Sequence, residues 1–214
     1  MKIFKFLAIA LVAMLGFTAC DKDCDHEFIE HDHSADLVGT WTCLQEGLAE
    51  AFVIKADGSV VSTGVLDGEY WDGIKGSIKT VNNKMTFTFE GGDNYETRFD
   101  IIPGVAFSIF NEEGERLTYN YCANDLADEV IGMWVLNEGV AGMTIQTYQE
   151  GGKSIFTGFS LGANDYLTNM ESTYKVVGNL MFQKTGDRYF VTRLTYTPNG
   201  TALGDVLSTT ATIL

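Results

Sequence analysis

Short runs of alternating apolar and polar residues recur along most of this chain. Met85, Phe87 and Phe89 alternate with Thr86, Thr88 and Glu90, which puts three large side chains on one face of a strand. Leu117, Tyr119 and Tyr121 alternate with Thr118 and Asn120. Tyr174 and Val176 alternate with Thr173 and Lys175, and Leu180 and Phe182 with Met181 and Gln183. Turn residues punctuate these runs, among them Asp57-Gly58, Asn82-Asn83, Gly91-Gly92, Pro103-Gly104, Gly151-Gly152, Gly178-Asn179 and Gly186-Asp187. Such positions need a positive φ or a fixed bend, which Gly, Asn and Pro supply. Short, evenly spaced strands joined by tight turns predict an all-β protein, an up-and-down barrel or a sandwich. The only helical suggestion is Asn124 to Glu129, where Asn124 is expected to cap a single turn.

The pattern occurs twice. Leu37-Val38-Gly39-Thr40-Trp41 is echoed by Val130-Ile131-Gly132-Met133-Trp134, and Glu46-Gly47-Leu48-Ala49 by Glu138-Gly139-Val140-Ala141. Gly58-Ser59-Val60-Val61-Ser62-Thr63-Gly64 is echoed by Gly152-Lys153-Ser154-Ile155-Phe156-Thr157-Gly158. The offset drifts from 93 to 92 to 94 residues, so small loop insertions separate two copies of about 90 residues. Each is large enough to be a small domain. The Gly-x-Trp opening, the acid-Gly turn, the Gly-marked hairpin, Tyr174 to Leu180 (YKVVGNL) and Tyr189 to Thr195 (YFVTRLT) resemble the small lipocalin-like domains of bacterial lipoproteins. The resemblance covers 37–214 and implies two tandem antiparallel up-and-down β-barrels, 37–124 and 125–214. It also implies structural roles for Trp41 and Trp134, as plugs of the barrel floors. A transmembrane barrel is disfavoured, because its strands need about 9–11 residues and most runs here are nearer six to eight.

Ahead of the repeats stands a different kind of segment. Lys2 and Lys5 precede an apolar run, Phe6 to Phe17, too short to span a bilayer. Phe17-Thr18-Ala19-Cys20 resembles the lipobox of bacterial lipoproteins. That resemblance implies that 1–19 is a signal peptide and that Cys20 carries the lipid. Attachment through acyl chains on Cys20 then places the protein on the outer membrane, at its periplasmic or cell-surface face. Residues 20–36 are expected to be a flexible acidic tether, since 21–36 carry seven acids against one lysine. Asp21, Asp23 and Asp25 resemble a surface-export signal or serve as a solvated spacer. The formal net charge is −15, and loss of the leader with its two lysines makes it −17. So acidic a protein lacks the basic face that nucleic acid requires.

Candidate chemistry is sparse. All three histidines, His26, His31 and His33, lie in the tether, which excludes Ser-His-Asp and Cys-His catalysis within the repeats. No phosphate loop, calcium loop or nucleophile elbow is present, so no enzyme activity and no cofactor are expected. His26, His31 and His33, with Cys24 and nearby carboxylates, offer a ligand set for Zn²⁺ or Cu²⁺. Cys43 and Cys122 fall on strands that a closed barrel makes neighbours, either bridged or as two buried thiols. Glu46 and Glu138, each beside a turn glycine, read as solvated surface. Tyr70-Trp71-Asp72-Gly73 has no evident counterpart in the second copy and is expected to be an exposed loop whose Trp71 meets a ligand or closes a barrel end. Phe87, Phe89, Tyr119, Tyr174 and Phe182 are the candidate cavity lining. The leading expectation is non-catalytic binding of a small apolar or amphipathic ligand. The second is recognition of a glycan or protein partner by solid barrels, and the third is metal capture by the tether.

Overall fold

The computed structural model describes residues 31–45, 47–92, 94–111, 114–137, 142–160, 165–197, 200–202 and 211–213. Among these the protein is all-β, without a helix. Eight strands form a closed antiparallel barrel. They are β1 (Gly39–Gln45), β2 (Leu48–Ile54), β3 (Ser59–Leu66), β4 (Glu69–Val81), β5 (Lys84–Phe89), β6 (Asn94–Ile102), β7 (Ala106–Phe110) and β8 (Arg116–Cys122). Each pairs with the next, and β1 closes the ring on β8 through Thr40–Cys122 and Trp41–Tyr121. The second copy forms β9 (Gly132–Asn137), β10 (Gly142–Gln149), β11 (Lys153–Ser160), β12 (Asp165–Val177), β13 (Leu180–Thr185) and β14 (Arg188–Arg193). Two short strands, β15 (Thr195–Thr197) and β16 (Gly200–Ala202), pair with each other, and β17 (Ala211–Ile213) adds to β14. Among the described residues this copy is a seven-stranded sheet in the order β17-β14-β13-β12-β11-β10-β9.

The alternation in the sequence becomes an inside and an outside. Trp41, Phe52, Phe87, Phe99, Phe107 and Tyr119 project into the barrel and are buried. Phe107 lies flat on Tyr119 with ring centroids 4.8 Å apart, and Tyr119 meets Phe52 at 5.0 Å. Burying each such side chain stabilises the barrel by roughly 1.5–3 kcal/mol.

Gly-x-Trp has the same physical basis in both copies. Gly39 and Gly132 share a φ of 137°, which side chains rarely adopt, and a Cβ on Gly39 would stand 2.6 Å from the Tyr121 ring. Two residues on, the indole N–H of Trp41 donates to the Leu37 carbonyl at 2.7 Å, and that of Trp134 to Val130 at 2.8 Å. Trp41 is buried and Trp134 half-buried.

Two expectations about the connecting segments are corrected. Asn124 to Glu129 is not a helical turn capped by Asn124. Asp125 accepts from the Ala127 amide, and Glu129 N–H reaches Leu126 in a single non-helical turn. The acidic tether ends sooner than 36, because His31–Asp36 are fastened to the barrel floor. Asp32 accepts from the Ser34 amide and from the Thr80 hydroxyl, the His33 amide donates to Thr80, and the His33 ring stands edge-on to Phe99. Asp32 therefore makes in the first copy the turn that Asp125 makes in the second. Residues 20–30, including Cys20, Cys24 and His26, lie outside the described residues, as do Glu46 and Glu138.

The copies pack together. Ala49, Ala51 and Val65 on the outer face of the barrel form one buried cluster with Leu180, Phe182 and Val191 of the second sheet. Tyr70 stacks on Tyr189 at 4.6 Å, Asp72 pairs with Lys175, and the Thr42 hydroxyl donates to Asn179 at 2.9 Å. Cys43 and Cys122 are free thiols. Cys122 lies opposite Thr40, on the outside of the barrel wall, whereas Cys43 points inward, so no bridge connects them. Cys43 is buried as expected, but Cys122 is only half-buried.

Candidate functional site

The expected aromatic lining divides among three places. Phe87, Phe89 and Tyr119 fill the barrel interior, where Phe87 stacks on both Phe52 and Phe89. Phe182 belongs to the contact between the copies, together with Tyr70. Tyr174 packs on the inner face of the second sheet, edge-on to Tyr148 at 4.9 Å. These residues do not come together around one cavity.

Tyr70 and Trp71 lie within β4, not in an exposed loop. Ser62 pairs with Ile74 and Gly64 with Trp71, so Asp72 and Gly73 together oppose Thr63. That is a β-bulge, and Gly73 takes its positive φ of 65°. The second copy has the counterpart that the sequence appeared to lack. There Phe156 pairs with Met170 and Gly158 with Leu167, so Tyr166 and Leu167 occupy the positions of Tyr70 and Trp71. The glycine and acid that suggested a loop mark the bulge.

The bulge turns Trp71 inward, and there it joins a polar chain inside the barrel. Its indole lies against Gly64, where a Cβ would stand 2.4 Å from the ring. The indole N–H donates to Ser62 at 2.7 Å, the Ser62 hydroxyl donates to Glu50 Oε1 at 2.7 Å, and the Tyr119 hydroxyl donates to Glu50 Oε2 at 2.6 Å. Glu50 is half-buried as a residue, while its carboxyl group sits deep among barrel side chains. Burial pushes its pKa up, and the hydrogen bonds from Tyr119 and Ser62 pull it back in part. Burial, with Glu50 beside it, pushes the Cys43 thiol to about 12 and holds the Tyr119 phenol well above its ordinary value. No Lys, Arg or His pairs with Glu50 among the described residues. Glu50 was legible as the one polar member of Leu48, Glu50, Phe52 and Ile54, which share a strand face.

The inner face of the second sheet differs in chemistry at matching positions. In the barrel, Trp41 pairs with Phe52 and Ile54 with Val60. In the second copy, Trp134 pairs with Gln146 and Tyr148 with Ser154. Likewise Phe87, opposite Ile78, becomes Gln183, opposite Tyr174. Gln183 accepts weakly from Tyr148 at 3.4 Å. Among the described residues, Gln146 Nε2 and Ser154 Oγ are buried without a hydrogen-bond partner. A recess of about 410 Å³ touches Ser154 and Ser172, but its other lining residues, among them Lys153, Glu171, Thr173 and Lys184, belong to the opposite face of the sheet by their pairing. Sequence reasoning passed over Gln146 and Ser154. Reading the two copies against each other, position by position, was the signal that exposes them.

His31 and His33 lie on the barrel floor with stacked rings 6.2 Å apart, and His33 Nδ1 is 3.0 Å from Asp36. Among the described residues no three His, Cys, Asp or Glu side chains are grouped to hold a metal ion. Comparison of the chain with family models, with curated proteins and with solved structures returned no match.

Proposed function

We propose that this protein is a membrane-anchored, non-catalytic binding lipoprotein, built from two tandem lipocalin-like barrels and held to the outer membrane by acyl chains on Cys20. In this reading the first barrel supports the second copy. The inner face of the second copy receives a small amphipathic ligand that presents hydrogen-bond acceptors.

The observation that carries the reading is the pair of buried donors that have no partner among the described residues, Gln146 Nε2 and Ser154 Oγ. They stand on the inner face where the first copy has Phe52 and Val60. Each unmade buried hydrogen bond costs about 1–3 kcal/mol, and a bound acceptor returns that energy as affinity. Membrane attachment has separate support. Val38, Ile102, Val105 and Tyr121 are exposed at the barrel end that receives the chain from the Cys20 side, and the Tyr121 amide bonds Val105.

The test is native mass spectrometry of the protein incubated with an extract of lipids and small metabolites. The wild type is expected to retain an adduct. The double variant Gln146→Leu/Ser154→Val is expected to lose it while melting at a higher temperature. Equal adduct retention in both proteins would reject the second sheet as the binding face.

A further inference from the structure

The chain Trp71–Ser62–Glu50–Tyr119 lies outside the second sheet and has no part in the reading above. Glu50 is an interior carboxylate whose only hydrogen-bond partners among the described residues are hydroxyl groups. Each of its oxygens accepts one hydrogen bond, which leaves a lone pair free on each. Packing and the ordering of Ser62 account for why Trp71 is there, but not for a carboxylate at position 50. A glutamine would accept from one of these hydroxyls and donate to the other without the cost of an ionisable group.

We propose that Glu50 and Trp71 form a second binding site, in the first barrel, for an organic ammonium ion. Glu50 supplies the countercharge. Trp71 supplies the aromatic ring: it is on the inner side of β4, half-buried, and its indole N–H is joined to Glu50 through the single hydroxyl of Ser62. A carboxylate with an aromatic plane beside it is the arrangement that holds ammonium ions through ion pairing and cation–π attraction. A transition metal is a poor match, since the nearby thiol is protonated and no histidine is present in the barrel wall. The occupied site lies near the barrel end carrying the β1–β2 and β3–β4 turns, opposite the floor where Leu37 and Trp41 pack.

The site is linked to pH. The groups facing Glu50 are Tyr119 on β8, Ser62 on β3 and Cys43 on β1, with Tyr95 on β6 beyond Tyr119 and Arg193 of β14 acting on Cys43. Cys43 and Tyr119 stay neutral through the range in which Glu50 ionises. An ammonium ion binds the carboxylate form, so affinity rises with pH as Glu50 loses its proton and then levels off.

The experiment titrates hexylammonium chloride into the full ¹⁵N-labelled chain and follows the three indole N–H signals, with sodium chloride and hexanol as controls. Trp71→Phe identifies the Trp71 signal. A saturable shift of that signal, absent with both controls and weakened at least tenfold in Glu50→Gln, is the expected result. A weaker effect at acid pH is expected as well. Hexanol acting as strongly as hexylammonium, or Glu50→Gln binding as tightly as wild type, would overturn the proposal. The Trp134 signal reports the second sheet, so the failure of either site is read separately from the other.

Discussion

The two copies share a strand plan and differ in what they do with its interior. Inside the barrel, Phe52, Phe87, Phe107 and Tyr119 stack on one another around a buried Trp41. On the matching face of the second sheet, glutamine and serine replace two of those rings and a valine, Trp134 is only half-buried, and donors go unanswered. One chain thus contains its own control. The backbone plan tolerates either interior, so the polar face is not required by the fold. A face that costs stability without serving the fold is where binding is to be sought.

The comparison can be tested from its largest expected effect downward. Trp41→Ala removes a fully buried indole and is expected to cost about 3–5 kcal/mol. Trp134→Ala, from a half-buried position, is expected to cost clearly less. Urea unfolding of both variants checks the order, and equal losses would mean that the second copy is as solidly packed as the first. Next, Gln146→Leu/Ser154→Val is expected to stabilise the chain by about 1–3 kcal/mol per silenced donor. A loss of stability would show those donors to be satisfied in solution.

Glu50 gives the third test. Its folded pKa is raised above the ordinary 4.5, so the folded state holds its proton more tightly than the unfolded state. The stability it confers is present below that ordinary value and is lost as pH rises through the raised one. Melting temperatures of wild type and Glu50→Gln are expected to diverge over that window, with the wild type falling relative to the variant. The smallest effect belongs to Asp72 and Lys175, which join the copies but are 47% and 43% exposed. A double-mutant cycle on this pair is expected to give about 0.2–1 kcal/mol.

Period-two alternation and turn residues place most strands correctly, because both are local properties of the backbone. What was not legible depended on long-range partners. Ala49, Ala51 and Val65 give no hint in sequence that they face a second sheet rather than water. Asp72 and Gly73 read as a loop because a bulge and a loop draw on the same residues. Asn124 reads as a cap in the sequence whereas Asp125 makes the turn, because both residue types suit the position and only the path of the chain decides between them. Phe87 and Phe89 were correctly placed inside, but pattern alone does not distinguish a ring that lines a space from one that fills it. Glu50 was within reach, as the polar exception in an apolar series.

Gly73 has a consequence for the division of labour between adjacent residues. Along an unbroken strand, neighbours alternate sides, and Ile74 faces inward. The extra residue shifts the count by one, so Trp71 also faces inward and Tyr70 is handed to the neighbouring sheet. A β4 that ran unbroken with every residue kept would exchange their assignments. The tyrosine would be trapped inside the barrel and the indole thrust against Tyr189. A single achiral residue thus acts as a counting device that separates the part of the chain holding the molecule together from the part facing its interior.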